Sequence, residues 1–187
     1  MSKTLFLIPV LLFAVSCGNT ETDTTPPPAP STTGSSSAEP EKGSPKAMGK
    51  QIAELVIAND NAGLNALIIT QEEMTAVITG SSVTPMGKEV AIKNIPVELP
   101  KMRNDITNGL AEVRKQCEAN GVVWENCTYK DTRYEINNPT GYNMMQLHCI
   151  LDCNGMEYIF TMSDVVETKN GWKLGGTMFY GEQPPAK

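Results

Sequence analysis

Residues 147–162 read Leu-His-Cys-Ile-Leu-Asp-Cys-Asn-Gly-Met-Glu-Tyr-Ile-Phe-Thr-Met, with the pair Asn154-Gly155 at their centre. Asn-Gly tolerates left-handed backbone at both positions, which is what a two-residue hairpin turn between twisted strands requires. With that turn, Cys153 faces Met156, Leu151 faces Tyr158, Cys149 faces Phe160 and Leu147 faces Met162. Both strands then carry one continuous apolar face, and a one-residue slip would turn it outward. Alternation places Gln146, His148, Ile150 and Asp152 on the opposite face, so His148, the only histidine, is expected to face solvent. A general acid/base role for it would need a cleft and a partner at about 3 Å.

Outward from the hairpin, Asn170-Gly171 marks a second turn before a last strand from Trp172 to about Tyr180. An earlier strand, about Cys127 to Ile136, joins across the loop Asn138-Pro139-Thr140-Gly141. Before Gly121 the period is helical. Ser44-Pro45 offers an N-cap and a first-turn proline ahead of Met48, Ile52, Leu55 and Val56 on one face. A short helix follows over Ala62–Ile68, and Thr70 with Glu73 forms a capping box for a helix carrying Met74, Val77 and Ile78. Thr84-Pro85 starts another helix that Pro96 should end, because proline lacks the amide donor and clashes with the preceding turn. Pro100 then opens a longer helix with the stripe Met102, Ile106, Leu110, Val113 and Cys117, closed by Asn120-Gly121. Gly109, in its middle, marks a close approach to a neighbouring element. The expected class is α+β: N-terminal helices packed on a curved four-stranded antiparallel meander.

Helices followed by a curved meander and a closing Gly-Trp-Lys-Leu (Gly171 to Leu174) resemble small bacterial lipoproteins with a cone-shaped NTF2-like (cystatin-like) domain over roughly residues 47–182. NTF2-like isomerases and dehydratases place Asp, Tyr or His inside the cone, and the resemblance therefore singles out Tyr134, Tyr158 and Asp131. The aligned residues Leu147, Leu151, Tyr158, Phe160 and Met162, with Tyr134, would line a pocket if the cone is open; otherwise they are the core beneath the helices. Met144 and Met145, among ten methionines, are adaptable contact residues only if exposed.

The N-terminus carries a different message. Met1 to Lys3 bear one positive charge, and an apolar run of about 11 residues from Leu5 to Val15 precedes Ser16, Cys17 and Gly18. This is the layout of a secretory signal peptide over residues 1–16 and is too short to span a bilayer. Phe13-Ala14-Val15-Ser16-Cys17-Gly18 resembles the lipobox of bacterial lipoproteins, with Ala14 where leucine is usual. The resemblance implies that Cys17 becomes the new N-terminus and takes fatty acyl chains such as palmitate. Residues 17–46, rich in Pro, Ser and Thr with almost no aliphatic side chains, are expected to form an unfolded tether, and 183–187 a short tail. Asp23-Thr24-Thr25 resembles the Asp-Thr-X acceptor of Bacteroidetes O-glycosylation, which implicates Thr24. The expected location is the cell envelope, lipid-anchored at the outer membrane on its periplasmic or surface face.

Four further cysteines, Cys117, Cys127, Cys149 and Cys153, would then meet an oxidising compartment. Cys149 and Cys153 lie about 13 Å apart on one regular strand, beyond the roughly 7 Å that a bridge tolerates. Each strand cysteine is left to pair with Cys117 or Cys127, or to remain a buried thiol. No Cys-x-x-Cys occurs, so neither zinc nor thioredoxin-type redox chemistry has a sequence basis.

Removing residues 1–16 leaves 14 basic against 21 acidic residues, a charge of -7. That balance, with no Lys/Arg cluster, argues against nucleic acid and against anionic membrane surfaces as partners. No nucleophile elbow, zincin motif or phosphate-cradling loop is present, and no metal or cofactor is implied. The leading expectation is a non-enzymatic envelope lipoprotein binding a protein or a small apolar ligand, for instance as a tethered immunity or inhibitor protein. The alternatives are an NTF2-like enzyme with a polar cone interior and a purely structural lipoprotein.

Overall fold

The computed structural model describes residue 41 and residues 43–181. Cys17, Thr24, the signal segment and the 183–187 tail lie outside them. The elements are α1 (Pro45–Ile57), α2 (Asn61–Ala66), α3 (Gln71–Gly80), α4 (Pro85–Ala119), a 3-10 turn (Trp124–Asn126), then β1 (Cys127–Asn137), β2 (Met144–Cys153), β3 (Met156–Thr168), β4 (Gly171–Leu174) and β5 (Met178–Tyr180). Helices come first and a curved, open antiparallel sheet follows, ordered β1-β2-β3-β4, with β5 also on β3.

The hairpin has the register its sequence dictates: Cys153 opposite Met156, Leu151 opposite Tyr158, Cys149 opposite Phe160 and Leu147 opposite Met162. Asn154 and Gly155 have φ of 57° and 81°, the double left-handed turn. The expected single last strand is instead two. Gly171–Leu174 pairs with Val165–Thr168, and Met178–Tyr180 pairs with Phe160–Met162. Between them β3 turns a corner at Asp164, whose φ is 51°. Gly175 and Gly176 fit against this corner because a Cβ on either would lie 2.6 Å from the carbonyl oxygen of Asp164 or Ser163. Side chains are excluded there, and strand pairing breaks.

Local signals explain the helices. Ser44 caps α1 by accepting from the Ala47 amide at 3.2 Å, and the Thr70/Glu73 capping box opens α3. The expected break at Pro96 does not occur. α4 runs for 35 residues through both Pro96 and Pro100. Interior proline costs about 3 kcal/mol, but both prolines face outward while the adjacent Ile95 and Leu99 are buried, 2% and 8% exposed. Burying those two side chains recovers about 1.5–3 kcal/mol each, so packing offsets half or more of the local penalty.

The apolar residues form two clusters. The larger joins Met48, Ile52 and Val56 of α1 and Ile106, Leu110 and Val113 of α4 to Leu147, Leu151, Phe160 and Met162 of the sheet. The smaller comprises Ile69, Ile95, Leu99 and Val166, with Met74, Val77, Ile92 and Met144 around it. Arg114 clasps the end of α1 to α4: its guanidinium donates to the carbonyls of Val56 (2.7 Å) and Ile57 (3.1 Å) and stacks 4.3 Å over the Trp124 ring. This satisfies carbonyls that a helix end leaves without intrahelical partners.

Gly109 is where α4 meets β5. A Cβ there would sit 2.5 Å from the Met178 carbonyl oxygen. In a helix without that contact, Gly109→Ala would stabilise by about 1 kcal/mol. Here it should destabilise by about 1–3 kcal/mol through overpacking, measured as a lower urea midpoint at unchanged slope.

Candidate functional site

The core-facing side of the sheet is where a cone-shaped fold would keep a pocket. Leu147, Leu151 and Met162 are 0% exposed and Phe160 is 1%, all packed against α1 and α4 side chains. The expected pocket lining is therefore filled core. Tyr158 belongs to the same cluster and donates its hydroxyl to the Asn120 carbonyl at 3.1 Å, fastening the end of α4 to β3. Tyr134 is half-buried against the cluster, and Asp131 pairs with Lys46 of α1 at 3.2 Å. These three residues occupy separate places and form no common site. Met145 is buried, and Met144 packs against the smaller cluster, so neither is an exposed contact residue.

His148 corrects the expectation of a solvent-facing side chain: it is 2% exposed. It lies on the outer sheet face between Arg133 of β1 and Thr161 of β3, its register partners. Its Nδ1 lies 2.9 Å from the Thr161 hydroxyl. Ile150 and Thr161, on the same face, are also buried. Alternation alone predicts which face a residue takes and not how closely long cross-strand neighbours cover it; Ile150 among the outward positions was the available hint.

The cysteines divide into one bridge and two thiols. Cys127 opens β1 directly opposite Cys153, the last residue of β2, with Cα atoms 4.1 Å apart, and the two form a disulfide. A bulge between Tyr129 and Asp131 shifts the remaining register by one residue, and Cys149 faces Thr132. Cys149 lies 3.5 Å from the Gly49 carbonyl, beneath α1. Cys117 and Cys149 are free and buried. Burial raises the Cys117 thiol to about 11 despite nearby Arg114, and burial also pushes Cys149 well upward. Neither is a thiolate at neutral pH, so neither has the character of a nucleophile or redox centre. Among the described residues no three His, Cys, Asp or Glu side chains converge as a metal would require.

The described residues also form an open groove of about 270 Å³ between α3, the loop before β2 and the end of β3, lined in part by Ala76, Val77, Tyr142, Glu167 and Glu73. Glu73, the capping-box residue of α3, is 7% exposed. Its Oε2 accepts from the Thr70 amide (3.0 Å) and hydroxyl (3.1 Å), and its Oε1 from Asn170 Nδ2 (2.8 Å). Burial works to raise this carboxyl, but those hydrogen bonds and Lys173 outweigh it and hold it below its usual value. Glu73 thus joins α3 to the β3–β4 turn, and its oxygens are committed to structure.

No family model, curated protein or solved structure matches this chain.

Two expectations follow. Loss of the Cys127–Cys153 bridge, which closes 26 residues, should cost about 3–4 kcal/mol in a Cys127→Ala/Cys153→Ala variant. Alkylation of the unfolded, unreduced domain should count Cys117 and Cys149 alone. For Glu73, a folded pKa below the unfolded value means stability that is present above about pH 4.3 and lost as pH falls through the lowered folded pKa. Glu73→Ala should cost about 1–2 kcal/mol at neutral pH, and the gap to the parent should narrow in urea titrations repeated at decreasing pH.

Proposed function

We propose that this chain is a lipid-anchored cell-envelope protein whose folded domain binds a protein or a small apolar ligand and performs no catalysis of its own. The observation that carries the reading is Phe13–Gly18: Cys17 stands between small residues at the end of a short apolar run and ahead of a Pro/Ser/Thr-rich stretch. No helix among the described residues is long and apolar enough to cross a membrane, so attachment would fall to acyl chains on Cys17.

The non-catalytic half of the reading draws support from the sheet interior. An NTF2-like enzyme needs an ionisable group facing a cavity. Here Leu147, Leu151, Phe160 and Met162 fill that face, and the Tyr158 hydroxyl is engaged with backbone. With buried, protonated thiols and a fully hydrogen-bonded Glu73, the places left for recognition are the outer surfaces.

The test is detergent phase separation of the protein expressed in a bacterium with a lipoprotein pathway. The parent chain should enter the detergent phase, and its N-terminal peptide should carry the mass of acyl chains on Cys17. Cys17→Ser should lose that mass modification. An unmodified Cys17 in the parent would overturn the reading.

A further inference from the structure

The N-terminal half of α4 is apolar on two opposite sides. Ile95 and Leu99 face the smaller core cluster. At about 100° per residue, Met86, Val90 and Val97 lie some 180–220° round the helix from Ile95. They are 76%, 55% and 68% exposed. Core packing does not explain them, and neither does propensity, because valine is a poorer helix former than the lysine and glutamate beside it. Single exposed apolar residues need no explanation, whereas an aligned set marks a contact surface. Val123, Ile136 and Met156, the other large exposed apolar residues among those described, lie on separate elements.

The charge around this stripe departs from that of the chain. From Met86 to Arg103 the basic residues are Lys88, Lys93, Lys101 and Arg103 and the acidic ones Glu89 and Glu98, a local excess of two positive charges in a chain of net charge -6. Lys93 falls within the stripe, between Val90 and Val97, and Lys101 borders it, 3.7 Å from Glu98. Apolar side chains interleaved with lysines suit a surface that is apolar beneath and anionic above, since lysine stems lie along apolar ground while their ammonium groups reach the charged layer. Overall charge disfavours anionic membranes for the rest of the chain; this segment is the local exception.

We propose that the exposed stripe Met86–Val90–Val97, with Lys93 and Lys101, rests on the lipid surface, inserting its apolar side chains shallowly among anionic headgroups and lying along the bilayer. The inference rests on the lipid-anchor reading only for what brings that surface within reach.

The experiment reconstitutes the full chain, as processed and extracted from membranes, into vesicles of phosphatidylcholine alone or mixed with phosphatidylglycerol, each containing a diazirine phospholipid. After photolysis, cross-links are mapped by peptide mass. Cross-linking of residues 85–103 should exceed that of the peptides carrying Val123, Ile136 and Met156 by roughly five-fold or more, and should rise with phosphatidylglycerol. Met86→Ser/Val90→Ser/Val97→Ser, whose substitutions touch no core residue and should leave the melting temperature unchanged, should remove the excess. Labelling of 85–103 at or below the internal controls overturns the proposal. So does a dimer, detected by light scattering, that the triple variant dissolves while lipid labelling stays at background, because the occupant is then a second copy. The N-terminal peptide in the same digest reports acylation independently: an acylated Cys17 with unlabelled 85–103 sinks this inference alone, and labelled 85–103 with unmodified Cys17 sinks the anchor alone.

Discussion

A slip of one residue in the β2–β3 hairpin would exchange Leu147, Leu151, Phe160 and Met162 for the outward set that includes His148 and Thr161. Burying those four apolar side chains contributes about 6–12 kcal/mol at the usual value per residue, as much as the whole net stability of a domain this size. The turn at Asn154-Gly155 forbids the slip, because both residues hold left-handed backbone that only the two-residue loop provides. Once that face is set, α1 must lie across it. Gly49 can approach Thr132 and the Cys149 thiol closely only because it has no side chain. The position of α1 then fixes where Arg114 meets the helix-end carbonyls of Val56 and Ile57, and so how α4 crosses the sheet.

What the sequence disclosed was what short-range chemistry controls. The hairpin register, the Ser44, Thr70 and Thr84 caps and the stop at Gly121 each depend on a few neighbouring residues, and the structure has them all. The continuity of α4 through Pro96 and Pro100 depends instead on Ile69 and Val166, distant in sequence, which reward burial of Ile95 and Leu99. Local rules assign the penalty of proline without seeing that reward. The β4/β5 break likewise comes from the left-handed corner at Asp164, ten residues before Leu174, and aspartate there carries no strong turn signal.

The cysteines show what strand register decides. Strand geometry correctly excludes a Cys149–Cys153 bridge, and it leaves open which of the pair meets Cys127. The β1–β2 ladder sets Cys127 opposite Cys153, while Cys149 lies opposite Thr132. Nothing in the residues of β1 announces that register, so the identity of the free thiols was hidden. The outer face was hidden for a similar reason: Arg133, His148 and Thr161 come from three strands and gather into one row through register alone.

The core-facing side of the sheet is filled by Leu147, Leu151, Phe160 and Met162, the Cys117 and Cys149 thiols are raised by burial, and the buried Glu73 is engaged by its cap and by Asn170. Three exposed side chains on α4 are too few to hold a partner in free solution, where stable interfaces bury about 800 Å² per side. A chain held at a surface by a second attachment works under a different rule, since the contact becomes intramolecular and an effective concentration replaces the bulk one. On the proposed anchor, a stripe as small as Met86, Val90 and Val97 would suffice to orient a domain that it could not capture, and that orientation would determine which of the remaining faces, the groove beside Tyr142 or the outer sheet around His148, is presented away from the membrane.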